Sequence, residues 1–159
     1  MTKLKFASTA PEFILPNQES KNINLNQFRG RWVVLYFYPK DNTPGCTQEA
    51  QEFSQRKKEF EKLNATILAV SKDDPETHCL FIKNKQLDIT LLSDADHKVM
   101  DKYGVWGAKK FMGREFLGIH RTTFLIDQNG LIAHIWENVK VNGHVEDVLL
   151  RLKELSKEK

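Results

Sequence analysis

Apolar positions along this chain follow two different periods. Trp32–Tyr38 (WVVLYFY) is an unbroken apolar and aromatic run, as expected of a strand covered on both faces. From Cys46 to Leu63 the chain is mostly polar, and Ala50, Phe53, Phe60 and Leu63 recur at spacings near three and four, which predicts one amphipathic helix. Ala65–Val70 is a second strand-like run. Asp74-Pro75 supplies an N-cap and a proline at the first helical position, predicting a helix that runs to about Lys85. Ile89–Leu92 is a third short apolar run, and Asp94–Tyr103 reads as helical. Residues 104–120 hold four glycines and read as a long loop. Thr122, Phe124 and Ile126 alternate, Asn129-Gly130 marks a turn, and Ile132–Trp136 alternates again, predicting a β-hairpin. Val145, Val148, Leu149, Leu152 and Leu155 then keep helical spacing. Upstream, the turn-rich NQESKN followed by Ile23 and Leu25 suggests a small edge hairpin.

A buried strand, a helix and a second buried strand form a parallel pair with a crossover. With the later helices and the closing hairpin, the order describes an α/β fold, a mixed central β-sheet flanked by helices with a short N-terminal hairpin extension. Thioredoxin-like folds have this layout. At 159 residues a single domain covering 1–159 is expected. Functional groups in open α/β sheets gather beyond the carboxyl ends of the strands. Cys46 follows such an end.

Composition adds exclusions. With 40% hydrophobic and 28% charged residues, neither disorder nor a fibrous class is indicated. The net charge of +3 is small and the basic residues are dispersed, so no nucleic-acid stripe is expected. No apolar run is long enough for a bilayer, and MTKLKFASTAPEF lacks a signal core, so the reading is cytoplasmic with no membrane partner. The two cysteines do not suggest a disulfide scaffold in a reducing compartment. Five histidines lack metal-site spacing, so no metal site is expected from them.

The chemistry centres on PKDNTPGC, residues 39–46. Pro39 ends the strand, Thr43-Pro44-Gly45 shapes a turn, and Cys46 falls in the first turn of the helix, where free N–H groups and the macrodipole favour an anion. Free cysteine titrates near pH ~8.5, and such surroundings lower that value and make a thiol reactive. The Thr43 hydroxyl is placed to donate to the sulfur or to an oxygen beside it. Pro39 offers no N–H and can exclude water.

Pro39, Thr43 and Cys46 match the P-x-x-x-T-x-x-C signature of the peroxiredoxins, and VVLYFYPKDNTPGCTQEA resembles the bacterioferritin comigratory protein or peroxiredoxin Q branch. The likeness continues through APEFILP, LLSDADHKV, YGVWG, FMG and HRTTFLID. It implies a thioredoxin-like fold and a peroxidatic Cys46 that reduces hydrogen peroxide and organic hydroperoxides through a sulfenic acid. Thr43 and Arg121 would polarise the peroxide, with Glu49 orienting the arginine. It also implies recycling by thioredoxin or another thiol reductant, no metal or organic cofactor, and a monomer.

One departure concerns recycling. Many relatives place a resolving cysteine on the helix of the peroxidatic one, where this chain has Gln51. Cys79 is the remaining candidate, either as a resolving thiol or as inert packing beside Ile82; otherwise an external thiol resolves Cys46. Trp106, Phe111 and Met112 read as packing over the core. A thioredoxin-type reductase would need C-x-x-C, which is absent after Cys46. A redox sensor or chaperone-like binding protein using the same cysteine is the alternative.

Overall fold

The computed structural model describes residues 2–157. A two-stranded hairpin, β1 (Ile14–Pro16) and β2 (Asn22–Asn24), opens the chain, and Leu25 belongs to a single 3-10 turn after it. The central sheet is built from β3 (Trp32–Phe37), β4 (Ala65–Ser71), β5 (Thr90–Ser93), β8 (Thr122–Ile126) and β9 (Ile132–Trp136), in the order β5-β4-β3-β8-β9. β3, β4 and β5 are parallel, and β8 is antiparallel to both of its neighbours. The sheet is therefore mixed, as expected.

The unbroken apolar run of β3 has a direct packing cause. Trp32, Val34 and Tyr36 face one side, against Phe53, Phe60, Phe81 and the closing helix residues Val148, Leu149 and Leu152. Val33, Leu35 and Phe37 face the other, against Phe13, Met100, Tyr103 and Phe124. Successive side chains on a strand point to opposite faces, so both sets must be apolar. The helices are α1 (Pro44–Gln55), α2 (Lys57–Lys62), α3 (Pro75–Lys85), α4 (Lys98–Tyr103) and α5 (His144–Lys157).

Three elements differ from the sequence expectation. The helix expected over 46–63 is two, because the backbone turns at Arg56 (φ −100°, ψ 5°), whose guanidinium is held by Glu59 and by Glu146 of α5. Phe53 and Phe60 nevertheless share one core, which is why their spacing read as continuous. The helix expected from Asp94 starts at Lys98. The Asp94 carboxylate accepts from the N–H groups of Val99 and Met100, and His97 takes a left-handed backbone.

Residues 104–120 are not a loop. They form β6 (Trp106–Phe111) and β7 (Arg114–Ile119), joined at Met112-Gly113, where both residues have positive φ, as a tight hairpin turn requires. Only its base, Ile119 and the partly buried Trp106, packs against the core and the rest projects outward, so its strands carry no alternating burial pattern to read. Phe111 and Met112 are exposed rather than packed, whereas Trp106 stacks on His97. Among the described residues no helix is long and apolar enough to cross a membrane.

Candidate active site

The strand-to-helix turn is fixed from below. Tyr38 makes the last ladder bond, donating its N–H to Val70, and Pro39 has no N–H to continue it. Asp41 is then pulled inward. Its N–H donates to Asp73, and its carboxylate accepts from the Tyr38 hydroxyl at 2.6 Å and pairs with His78 of α3 at 2.7 Å. His78 also bonds the Leu92 carbonyl through Nε2 at 3.1 Å, so that nitrogen carries a proton. Both side chains of the Asp41–His78 pair are fully buried. Nothing in the sequence spacing signals this contact between a loop and a helix 37 positions away.

Thr43 occupies the N-cap of α1 with an extended backbone, and Pro44 opens the first turn. Cys46 lies in that turn, as expected. Its surroundings differ from expectation, because Cys46 is only 1% exposed and belongs to the inner core cluster. The Thr43 hydroxyl points back to the Lys40 carbonyl at 2.9 Å instead of toward the sulfur. Short hydroxyl side chains readily make such local backbone bonds. Pro39 is half-buried at the same turn.

Arg121 is delivered by register. Thr122 is paired with Phe37 in the β3–β8 ladder, so the residue before it stands beside the carboxyl end of β3. Its guanidinium forks. Nη1 donates to Glu49 Oε1 at 2.6 Å, and Nη2 to Cys46 Sγ at 3.3 Å. The Arg121 side chain is 17% exposed and Glu49 not at all. A Cβ added at Gly45 would stand 3.4 Å from Nη2, so the helix start lies directly beside the arginine.

Burial pushes the Glu49 carboxyl up to about 7, with Arg121 pulling against it and Glu52 adding to the rise. For Arg121, burial is the largest influence and lowers its value, but Glu49 and Cys46 outweigh it and the net shift is upward. Two neighbours went unnoticed in the sequence. Tyr36 places a buried hydroxyl, without a hydrogen-bond partner among the described residues, beside these charges, and Lys109 of β6 donates to the Ile119 carbonyl nearby. Tyr36 was hidden within the apolar run of its strand, and Lys109 in the segment read as a loop.

Cys79 sits on α3 one residue after His78 and is exposed, so packing beside Ile82 is overturned. Adjacent helix residues point about 100° apart, and His78 has taken the inward direction. Both cysteines are free. Among the described residues, Asp41, Asp73 and His78 hold ligand-type atoms within 4.8 Å of one another. Each is already engaged in the hydrogen bonds above.

A buried cysteine at a helix start, held by an arginine that also grips a buried carboxyl, is an arrangement chemically suited to a nucleophile. Comparison with known proteins gives the family. The AhpC/TSA family model matches residues 7–135. The chain belongs to the AhpC/TSA family. It is 44% identical to Peroxiredoxin Bcp of Escherichia coli over 97% of this chain and 99% of that protein. With Peroxiredoxin Bcp of Bacillus subtilis the identity is 40%, over 96% and 98%. Among solved structures, Xylella fastidiosa PrxQ superposes with a TM-score of 0.93 at 35% identity, covering 98% and 99%. The Xanthomonas campestris bacterioferritin comigratory protein, described with alkyl peroxide reduction activity, gives 0.89 at 35% identity over 98% and 99%. The fold is thus thioredoxin-like, and this AhpC/TSA chain is a peroxiredoxin of the Bcp/Q branch, a thiol peroxidase.

Proposed function

We propose that this chain reduces hydrogen peroxide and alkyl hydroperoxides at Cys46. The observation that carries the reading is the Arg121 fork, which binds the sulfur and Glu49 from one guanidinium. A rigid planar cation can stabilise both the attacking sulfur and the developing charge on a peroxide oxygen. The Cys46 thiolate attacks the distal oxygen, an S–O bond forms, the O–O bond breaks, and water or an alcohol leaves. Sulfur ends as the sulfenic acid.

Thr43 reaches the substrate by releasing Lys40. That hydrogen bond is worth about 1 kcal/mol net, so exchanging it for one to the peroxide is nearly neutral. Pro39 shields the sulfur from water. Because Cys46 is 1% exposed, substrate enters as the Thr43 side chain leaves Lys40 and the mouth of the turn moves aside, while Asp41 keeps its buried bonds. The alkyl hydroperoxide class is supported by the activity described for the X. campestris relative.

Recycling is by an outside thiol, with thioredoxin as the reductant, acting on a monomer in a reducing, cytoplasmic setting. Moving α3 to close Cys79 onto Cys46 would disturb the buried bonds of His78 to Asp41 and the Leu92 carbonyl, each worth about 1–3 kcal/mol net. The test is peroxide consumption with a thioredoxin system, followed by non-reducing mass spectrometry after one equivalent of peroxide. Turnover lost in Cys46→Ser but kept in Cys79→Ser, with an unpaired Cys46 sulfenic acid, supports the reading. A Cys46–Cys79 disulfide would overturn the recycling route. Absence of turnover would overturn the peroxidase and favour a redox sensor.

A further inference from the structure

The compartment around Cys46 holds a group the steps above leave idle. Glu49 Oε1 takes the Arg121 fork, but Oε2 has no hydrogen-bond partner among the described residues, and neither has the buried Tyr36 hydroxyl. One guanidinium therefore faces two groups able to carry negative charge, Cys46 and Glu49, both out of water. If both were ionised, Arg121 would balance one of them and the second would face only Lys109, which is bonded to the Ile119 carbonyl and whose charge burial opposes. Arg121 and this pair are neutral together when the two share a single proton. A bare carboxylate oxygen with no donor is costly when buried, and a proton on it removes the charge.

We infer that Glu49 stores the proton that Cys46 gives up and returns it as the peroxide bond breaks. This rests on the peroxidase reading of Cys46. In the first step the thiol proton passes to the Glu49 carboxylate, leaving thiolate and carboxylic acid. In the second, sulfur gives an electron pair to the distal peroxide oxygen and is oxidised to the sulfenic acid, while the leaving oxygen departs as alkoxide or hydroxide. The Glu49 proton then converts it to alcohol or water, and the carboxylate is restored.

The groups facing Glu49 fit that role. Glu52 on α1 opposes its ionisation and Arg121 favours it. Tyr36 from β3 is neutral, its own value raised by burial and then by Glu49 and Cys46, with Arg121 pulling against the rise and Asp41 of the turn adding to it. Lys109 from β6 faces Arg121 and Cys46, and burial lowers its value. His144 from α5 faces Arg121 but is kept neutral near pH 7, burial pushing it down to about 4. Burial holds Glu49 itself at about 7, where a proton can be taken and given back.

The test is an infrared difference spectrum of the whole protein near neutral pH, before and after alkylation of Cys46 with iodoacetamide, alongside the ultraviolet thiolate absorbance. Alkylation turns the thiolate into a neutral thioether, so Glu49 must ionise to balance Arg121. One protonated-carboxyl stretch should vanish per thiolate lost. That loss should be missing in Glu49→Gln, which keeps the arginine contact without a titrating proton, and in Cys46→Ser, where only exposed Cys79 reacts. A thiolate that disappears with no carboxyl change in the wild-type protein means Glu49 is ionised throughout and only orients Arg121, which overturns the inference. Carboxyl loss without peroxide turnover would instead leave the proton sharing intact and remove the peroxidase reading beneath it.

Discussion

Replacing Arg121 by lysine separates positive charge from the fork that delivers it. Arginine reaches Glu49 Oε1 and Cys46 Sγ at once, at 2.6 and 3.3 Å, through two nitrogens held in one plane. A lysine ammonium is a point charge and cannot hold the same two partners in that geometry. One charge-assisted hydrogen bond is therefore lost, worth about 1.5–3 kcal/mol. If the loss falls on the transition state, the second-order rate constant with peroxide drops roughly ten- to 150-fold, since about 1.4 kcal/mol is a factor of ten. The measurement is stopped-flow oxidation of Cys46 under pseudo-first-order peroxide, with thermal unfolding as the control for fold. Arg121→Met should lose at least as much rate, because no cation then remains at the fork that reaches Cys46 and Glu49. A folded Arg121→Lys protein reacting within about threefold of the wild-type rate would refute the argument, because it would show that charge alone suffices.

Thr43→Val should cost about 2.7–4 kcal/mol in the barrier, as loss of one donor to a reacting oxygen does, while Thr43→Ser keeps most activity; equal rates in Val and wild type would remove Thr43 from the chemistry. The pH dependence of stability should be nearly flat between pH 4.5 and 6.5, because two buried groups oppose each other there. His144 is depressed from 6.5 to about 4, so its contribution of about 3 kcal/mol is present above 6.5 and lost as pH falls through 4. Glu49 is raised from 4.5 to about 7, so its similar contribution is present below 4.5 and lost as pH rises through 7. Urea denaturation across this range should therefore show stability falling with rising pH in His144→Gln and with falling pH in Glu49→Gln; unchanged profiles would contradict the pairing. His78→Phe, which strands Asp41 without its partner, should lower stability by about 3–5 kcal/mol, and a loss under about 1 kcal/mol would show the contact to be dispensable.

The βαβ start of the sheet was legible because β3 must be apolar on both faces, and a run such as WVVLYFY has no other comfortable state. Cys46 at a helix start was equally legible, since Pro39, Pro44 and Gly45 act through backbone geometry within one turn. The β6–β7 hairpin was not. It buries too little to imprint a period, and its glycines resemble those of a loop. The division of the long helix at Arg56 was hidden for the opposite reason, because both pieces serve one core and keep its spacing.

By itself the chain determined what depends on near neighbours: the strands, the caps, and a cysteine at the amino end of a helix. Tertiary structure decided which charges meet there. The β3–β8 register sets Arg121 beside the end of β3, α3 brings His78 under Asp41, and packing seals Cys46 and Glu49 away from water. Those contacts span 37 to 75 positions of chain, and electrostatic strength depends on distance and burial in space, quantities that local sequence does not carry.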